Sequence, residues 1–322
     1  MAFDKRVLVF GASGTAGSGA VRALLRQGYG VTCVLRSERS VSALPAGVEV
    51  VYGDVTAPET GLAGALSAEK FDVVVSCLAS RSGGAKDAWA IDHDAQVTVL
   101  DLTKQIGATH FILLSAICVQ KPTLPFQHAK LAFEAKLIAS GLTYSIVRPT
   151  AFFKSLSGQI ERLRRGKPFL VFGDGTLTAC KPISDDDLGD YVAGCIEDDT
   201  RQNLILPIGG PGDAITPKEQ GEVLFRLLGR EPNFKHVPIA MMGVIHNVLR
   251  CAGLVSVNAA EKAGLAQIGQ YYASESMLVW NAEQGKYDAD KTPSTGTETL
   301  FEYYAKVIES GVAIERGDHS VF

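Results

Sequence analysis

The feature that most constrains this chain lies near its start. A short β-branched and apolar run, Val7-Leu8-Val9-Phe10, leads directly into Gly11-Ala-Ser-Gly14-Thr-Ala-Gly17, and that into the helix-compatible Ala20-Val-Arg-Ala-Leu-Leu-Arg26. Only glycine lets a strand turn this tightly into a helix and lets another group approach the backbone closely. Further apolar segments follow at Val31–Leu35, Val48–Tyr52, Val73–Leu78, Phe111–Ser115 and Tyr144–Val147, and they alternate with longer helix-compatible stretches such as Asp94–Gly107 and Ala129–Ser140. Repeated βα alternation predicts a parallel sheet covered by helices on both faces, which is why its strands read as unbroken apolar runs. The predicted class is α/β: a Rossmann-like, doubly wound parallel sheet over residues 1–150, then a smaller C-terminal substrate-binding part over 151–322. A strand near 203–208 is expected to return to the sheet.

Composition narrows the functions open to such a fold. An apolar fraction of 46% and a charged fraction of 20% describe a globular chain. With 31 Lys+Arg against 35 Asp+Glu there is no basic footprint for nucleic acid. The six cysteines form no Cys-x-x-Cys pair, and the six histidines form no His-Glu-x-x-His set, so reduced structural thiols, structural histidines and no metal are expected. Only six residues precede Val7, too few for a signal peptide, which gives a cytoplasmic expectation. The apolar stretch Val237–Val257 is interrupted by His246, Asn247 and Arg250 before it reaches spanning length. It suits an amphipathic lid over an apolar ligand or an ordinary buried helix, and it leaves peripheral membrane contact open. Arg162, Arg164, Arg165 and Lys167 are expected on a solvated helix face.

The spacing Gly11-x-x-Gly14-x-x-Gly17 resembles that of extended short-chain dehydrogenase/reductase-like proteins. Gly11, Ser13, Gly14, Thr15, Ala16 and Gly17 would then present helix N–H groups to a pyrophosphate, a purely structural turn being the alternative. Arg36 follows the second strand, where a carboxylate ordinarily holds an unphosphorylated ribose. A cation there suits a 2′-phosphate, so NADPH is expected over NADH, with Ser37 and Arg39 assisting; a solvated surface arginine is the alternative. By resemblance to this fold, Asp54 and Val55 lie beside the adenine. Ser115 and Phe126-Gln-His-Ala-Lys130 keep the serine and the Tyr-x-x-x-Lys spacing of carbonyl-reducing relatives, with phenylalanine in place of tyrosine. Lys130 would still hold the nicotinamide ribose. An alkoxide forming in this site would lack its positioned proton source. What remains is nucleotide binding without chemistry, or reduction of a conjugated carbon–carbon double bond.

Four segments carry a more specific resemblance: Phe111-Ile-Leu-Leu-Ser-Ala-Ile-Cys-Val-Gln-Lys-Pro, Val147-Arg-Pro-Thr-Ala-Phe-Phe-Lys-Ser-Leu, Cys180-Lys-Pro-Ile-Ser-Asp-Asp-Asp-Leu and the terminal Gly317-Asp-His-Ser-Val-Phe. Together they resemble the divinyl chlorophyllide 8-vinyl-reductase family, atypical short-chain reductases, over nearly the whole chain. The resemblance implies NADPH-dependent conversion of the 8-vinyl group of a divinyl chlorophyllide or protochlorophyllide to ethyl. Hydride added to the terminal vinyl carbon would leave a carbanion delocalised over the tetrapyrrole, to be protonated by water or a nearby acid. His128, Lys130 and Tyr144 are candidate donors by sequence proximity, and none is assigned. By the same resemblance the backbone of Arg148, Pro149 and Thr150 lies near the nicotinamide carboxamide. Phe126, Phe152 and Phe153 offer either a wall for a flat macrocycle or core packing, and Lys154 either a propionate contact or a solvated role. A non-catalytic NADP-sensing protein of the same fold and a reductase of another conjugated alkene remain alternatives.

Overall fold

The computed structural model describes residues 5–57, 61–67, 69–241 and 257–311, with the side chains of residues 39, 43 and 257–263 outside that description. The chain divides into two compact units, one of residues 1–80, 85–149 and 185–208, the other of residues 81–84, 150–184 and 209–322.

The first unit carries β1 (Arg6–Phe10), α1 (Thr15–Arg26), β2 (Gly30–Leu35), β3 (Glu49–Tyr52), α2 (Leu62–Leu66), β4 (Val73–Ser76), α3 (Gln96–Gln105), β5 (His110–Leu114), α4 (Pro125–Ile138) and β6 (Thr143–Pro149). After an excursion into the other unit the chain returns as α5 (Asp185–Gly194) and β7 (Leu204–Ile208). The strands form one parallel sheet in the order β3-β2-β1-β4-β5-β6-β7. The order reverses beside β1, and in such sheets ligands bind in the crevice at the carboxyl ends of the strands at that switch point.

All six residues of β2 are buried, as a strand covered on both faces requires. One core joins Leu8, Phe10, Val74, Phe111 and Ile146 of the sheet to Leu62 and Leu66 of α2, Val99 and Leu102 of α3, and Phe133 and Leu137 of α4. The return is larger than the single strand expected, because α5 comes back with β7 and packs on α1. The reason is small residues at the crossing: a Cβ on Gly19 would stand 2.0 Å from the Asp185 carbonyl oxygen, and one on Gly189 would stand 2.3 Å from that of Gly19. Ion pairs Arg22–Asp186 at 2.8 Å and Arg26–Asp190 at 2.7 Å flank the crossing.

The second unit has its own core of Phe153, Ile160, Leu163, Phe169, Val171, Leu224, Phe225, Leu300 and Tyr304. Parallel strands Phe169–Phe172 and Phe234–Val237 pair within it. The solvated helix expected over 158–166 is corrected in part: Arg165 and Lys167 are exposed as expected, but the helix is shorter and the other two arginines are half-buried. The helix is Ile160–Arg164, with Ile160 and Leu163 fully buried. Arg162 Nε donates to the Pro168 carbonyl at 2.7 Å and Arg164 Nη2 to that of Val307 at 2.8 Å, so these guanidinium groups satisfy backbone acceptors. Most of the stretch 237–257, together with residues 312–322, lies outside the described residues. Among the described residues no helix is long and apolar enough to cross a membrane.

Candidate active site

The loop after β1 separates what folding requires from what a ligand requires. Gly11 has φ of 74°, and a Cβ there would lie 2.6 Å from the Cys77 carbonyl oxygen. A Cβ on Gly17 would lie 2.1 Å from the Gly11 carbonyl oxygen. Both glycines are therefore demanded by the turn itself. Gly14 is different: its backbone is extended (φ −77°, ψ 166°), and a Cβ would come no closer than 3.4 Å to the Gly11 oxygen. Gly14 is exposed and is the N-cap of α1, whose first turn no side chain caps. The bare cradle in front of these N–H groups fits a dinucleotide pyrophosphate. Gly14→Ala is accordingly expected to melt with the wild-type protein yet to bind NADPH about tenfold more weakly, near 1.4 kcal/mol; thermal melting and a fluorescence titration on one preparation check this.

Around that loop, Ser13 is exposed, Thr15 half-buried, and Ala16 and Gly17 buried. Arg36 and Ser37 are exposed just beyond β2, while the side chain of Arg39 is outside the described residues. Asp54 follows β3 on the same edge of the sheet. Hydrogen bonds from Thr56 hold its carboxyl below its ordinary value against the opposing effect of burial, and the charge of Arg36 adds to the lowering. Val55 beside it is buried.

Helix α4 supplies the next part of the site. Pro125 occupies its first position, and the Gln127 side-chain oxygen accepts from the N–H groups of Thr123 at 2.7 Å and Leu124 at 2.8 Å. This fixes the first turn and with it Phe126 and Lys130, both 9% exposed. Lys130 Nζ lies 2.9 Å from Asp92 Oδ1. Asp92 sits on a π-helical segment, Trp89–Ala95, and its Oδ1 also accepts from the Ser80 N–H at 3.3 Å. Nearby, burial pushes the Cys77 thiol up to about 12, with the Lys130 charge acting in the opposite direction.

One turn further along α4 a second buried network begins. Glu134, 2% exposed, accepts from Arg148 Nε at 3.1 Å on Oε1 and from Arg148 Nη2 on Oε2. Ser115 Oγ donates to Glu134 Oε1 at 2.5 Å. A carboxylate paired with arginine has no proton to give, so the Ser115 proton is committed inward. This geometry argues against Ser115 as an acid for substrate. Ser115→Ala should keep kcat within about tenfold of wild type, whereas deleting a general acid costs about 10²–10⁴-fold; steady-state rates at saturating NADPH distinguish the two.

Other expected site residues fall where their packing dictates. Tyr144 is corrected as a candidate donor. It lies opposite Phe111 near the start of β6, whereas Leu114, the last residue before Ser115, pairs with Val147. Three strand residues, about 10 Å, separate it from the carboxyl edge, and it packs against the core. His128 is exposed on α4. Pro149 and Thr150 are buried, and Thr150 Oγ1 donates to the Lys181 carbonyl. Phe153 is also corrected: it is 2% exposed and tilted against Tyr303 in the second unit's core, so it is no open wall for a macrocycle. Phe152 and Lys154 are half-buried. Asp92 and Glu134 went unnoticed in the sequence. Glu134 has a detectable signal, its four-residue spacing from Lys130 on one helix; Asp92 has none, because it meets Lys130 only through folding.

A doubly wound sheet with this glycine loop at its switch point defines a Rossmann-type, nicotinamide-nucleotide-binding fold. Residues 11–199 match the NAD(P)H-binding family. The chain is 48% identical to the protein named divinyl chlorophyllide a 8-vinyl-reductase, chloroplastic, of Arabidopsis thaliana, over 96% of this chain and 78% of that one. It is also 48% identical to the protein of the same name from Oryza sativa subsp. indica, over 99% of this chain and 82% of that one. The chain belongs to the divinyl chlorophyllide a 8-vinyl-reductase family. Among solved structures it resembles the leucoanthocyanidin reductase–NADPH complex of Vitis vinifera, with a TM-score of 0.68 and 16% identity over 94% of this chain and 99% of that one, a likeness of fold.

Proposed function

We propose that this protein uses NADPH to reduce the 8-vinyl group of a divinyl chlorophyllide to ethyl, with the corresponding protochlorophyllide as the other substrate to test. When bound, the cofactor supplies the hydride that, with one proton, saturates the vinyl bond. The observation that carries the reading, beside family membership, concerns the two positions where carbonyl-reducing relatives of this fold keep their hydroxyl acids, neither of which has a proton to offer here. Phe126 replaces the phenol, and the Ser115 proton is held by Glu134. Such a site is poorly suited to a carbonyl, whose oxygen must be protonated as it forms. It suits a conjugated alkene, because the macrocycle spreads the electron pair until a proton arrives from water.

The residues divide the work of holding the nucleotide. The Gly11–Gly17 loop and the start of α1 take the pyrophosphate, Arg36 the 2′-phosphate, Asp54 and Val55 the adenine edge, and Lys130 the nicotinamide ribose. The end of β6 at Arg148–Thr150 lines the carboxamide through its backbone, the Arg148 side chain being engaged with Glu134. Phe126 is assigned to the pigment face.

Incubation of the purified protein with NADPH and divinyl chlorophyllide tests the reading. Formation of the 8-ethyl product without added flavin or iron–sulfur protein is expected; NADPH binding with no product would favour the non-catalytic alternative. Arg36→Ala should raise KM for NADPH about 10–100-fold, the worth of a charge-assisted hydrogen bond at 1.5–3 kcal/mol, and leave KM for NADH nearly unchanged. Parallel loss with both nucleotides would remove Arg36 from the 2′-phosphate site.

A further inference from the structure

Asp92 is an expensive residue to keep where it stands. Its side chain is fully buried, one oxygen serves Lys130 and the Ser80 N–H, and the other, Oδ2, has no hydrogen-bond partner among the described residues. Buried ion pairs are weak devices for stability, and a buried carboxylate with an unsatisfied oxygen is weaker still; an apolar pair of the same volume would fold at least as well. The segment that carries it is a π-helical turn, a departure from regular helix frequent at functional sites. The pair also differs from what a carbonyl reductase needs. A lysine beside a catalytic tyrosine has a phenol to influence, and here that position is Phe126. The ammonium is instead matched to a carboxylate at 2.9 Å. Ionisable groups near it among the described residues include the Cys77 thiol after β4 and, one turn along α4, Glu134, which is already paired with Arg148.

We infer that Asp92 is the positioning residue of Lys130: its carboxylate fixes the ammonium in one place and cancels its charge, so that the remaining N–H bonds serve as donors to the ribose diol of the nicotinamide half of the cofactor. The inference rests on the dinucleotide reading of this site. Asp92 touches neither reacting atom. It acts through Lys130, and its loss should appear as a defect confined to the nicotinamide half of the nucleotide.

The test is a double-mutant cycle on nucleotide binding, since residues that act as one unit give non-additive effects. Wild type, Asp92→Asn, Lys130→Met and the double variant are titrated with NADPH and with adenosine 2′,5′-bisphosphate, which lacks the nicotinamide riboside, and each is melted. Each single variant is expected to bind NADPH about 10–100-fold more weakly, the size of one charge-assisted hydrogen bond, to bind the bisphosphate as wild type does, and to melt lower. The double variant should regain melting temperature, because both charges are gone, yet bind NADPH no better than Lys130→Met. A purely structural pair predicts the opposite, with NADPH affinity returning alongside stability. That result, NADPH binding by Asp92→Asn within twofold of wild type, or equal loss of both ligands would overturn the proposal. If Asp92→Asn does not fold, Asp92→Glu keeps the charge while displacing the ammonium. It should show the same selective NADPH defect, and wild-type binding by it would be equally fatal. No tetrapyrrole enters these measurements, so an absence of vinyl reduction would leave the result readable, whereas wild-type protein that bound no NADPH would refute both readings.

Discussion

Arg148→Ala should remove about 3–5 kcal/mol of folding stability, the usual consequence of stripping one partner from a buried ion pair. Glu134 is 2% exposed and receives two of its hydrogen bonds from the Arg148 guanidinium. After the substitution its only remaining donor among these contacts is Ser115 Oγ. A carboxylate in that setting is neither hydrated nor neutralised, and the cost falls on the folded state. Replacing both partners, as in Glu134→Met with Arg148→Met, should recover most of the loss, because the stability lies in not leaving a charge alone rather than in the pair itself. Urea unfolding of the single and double variants measures both. The Arg22–Asp186 pair provides the internal contrast. Its partners are 36% and 53% exposed, so Arg22→Ala should cost less than about 1 kcal/mol. An Arg148 variant as stable as the Arg22 one would show that water reaches Glu134.

Lys130→Met should lower kcat by about 10²-fold at saturating NADPH, the penalty expected when a reacting group is held about 1 Å out of place. The argument is geometric. Lys130 is the residue assigned to the nicotinamide ribose, and it lies 2.9 Å from Asp92 on a helix whose first turn is locked by Pro125 and Gln127. On that assignment its removal should loosen the nicotinamide ring and leave the pyrophosphate loop as it is. Phe126→Tyr is the companion measurement. It restores a phenol, yet vinyl reduction should gain nothing from it, because the proton is not needed at the moment of hydride transfer. Wild-type turnover by Lys130→Met would remove the lysine from the machinery, and a large gain in vinyl reduction from the new tyrosine would contradict the carbanion route.

Much of the catalytic half was legible in the chain because its signals are local. Val7–Phe10 followed by Gly11, Gly14 and Gly17 specifies strand, turn and helix through neighbouring residues alone, and the six apolar runs anticipate β1 to β6: β1, β2, β4 and β5 are covered on both faces and so leave an unbroken apolar trace, while β3, at the edge of the sheet with Glu49 and Tyr52 exposed, keeps only Val50 and Val51 partly buried. The spacing of Phe126 and Lys130 on one helix was legible for the same reason. The C-terminal part was less legible. Arg162 and Arg164 look like a solvated face by composition, yet their guanidinium groups satisfy carbonyls at Pro168 and Val307, the second of which is distant in sequence.

By itself, then, the sequence determined the parallel sheet, the nucleotide loop, the missing phenol and the family, each of which is written within a few consecutive residues or in segments whose character survives without neighbours. Tertiary structure alone decided which charges meet. Asp92 reaches Lys130 across 38 positions and Arg148 reaches Glu134 across 14, and no local pattern announces either pair. It also decided that the Ser115 proton points inward, that Tyr144 stands about 10 Å from the reactive edge, and that α5 returns to α1 where Gly19 and Gly189 let two backbones touch. The physical reason is common to all of these. Desolvation and hydrogen-bond pairing are properties of a place in the fold, set by what packs around a group from distant parts of the chain, whereas strand, turn and helix preferences belong to the residues that form them.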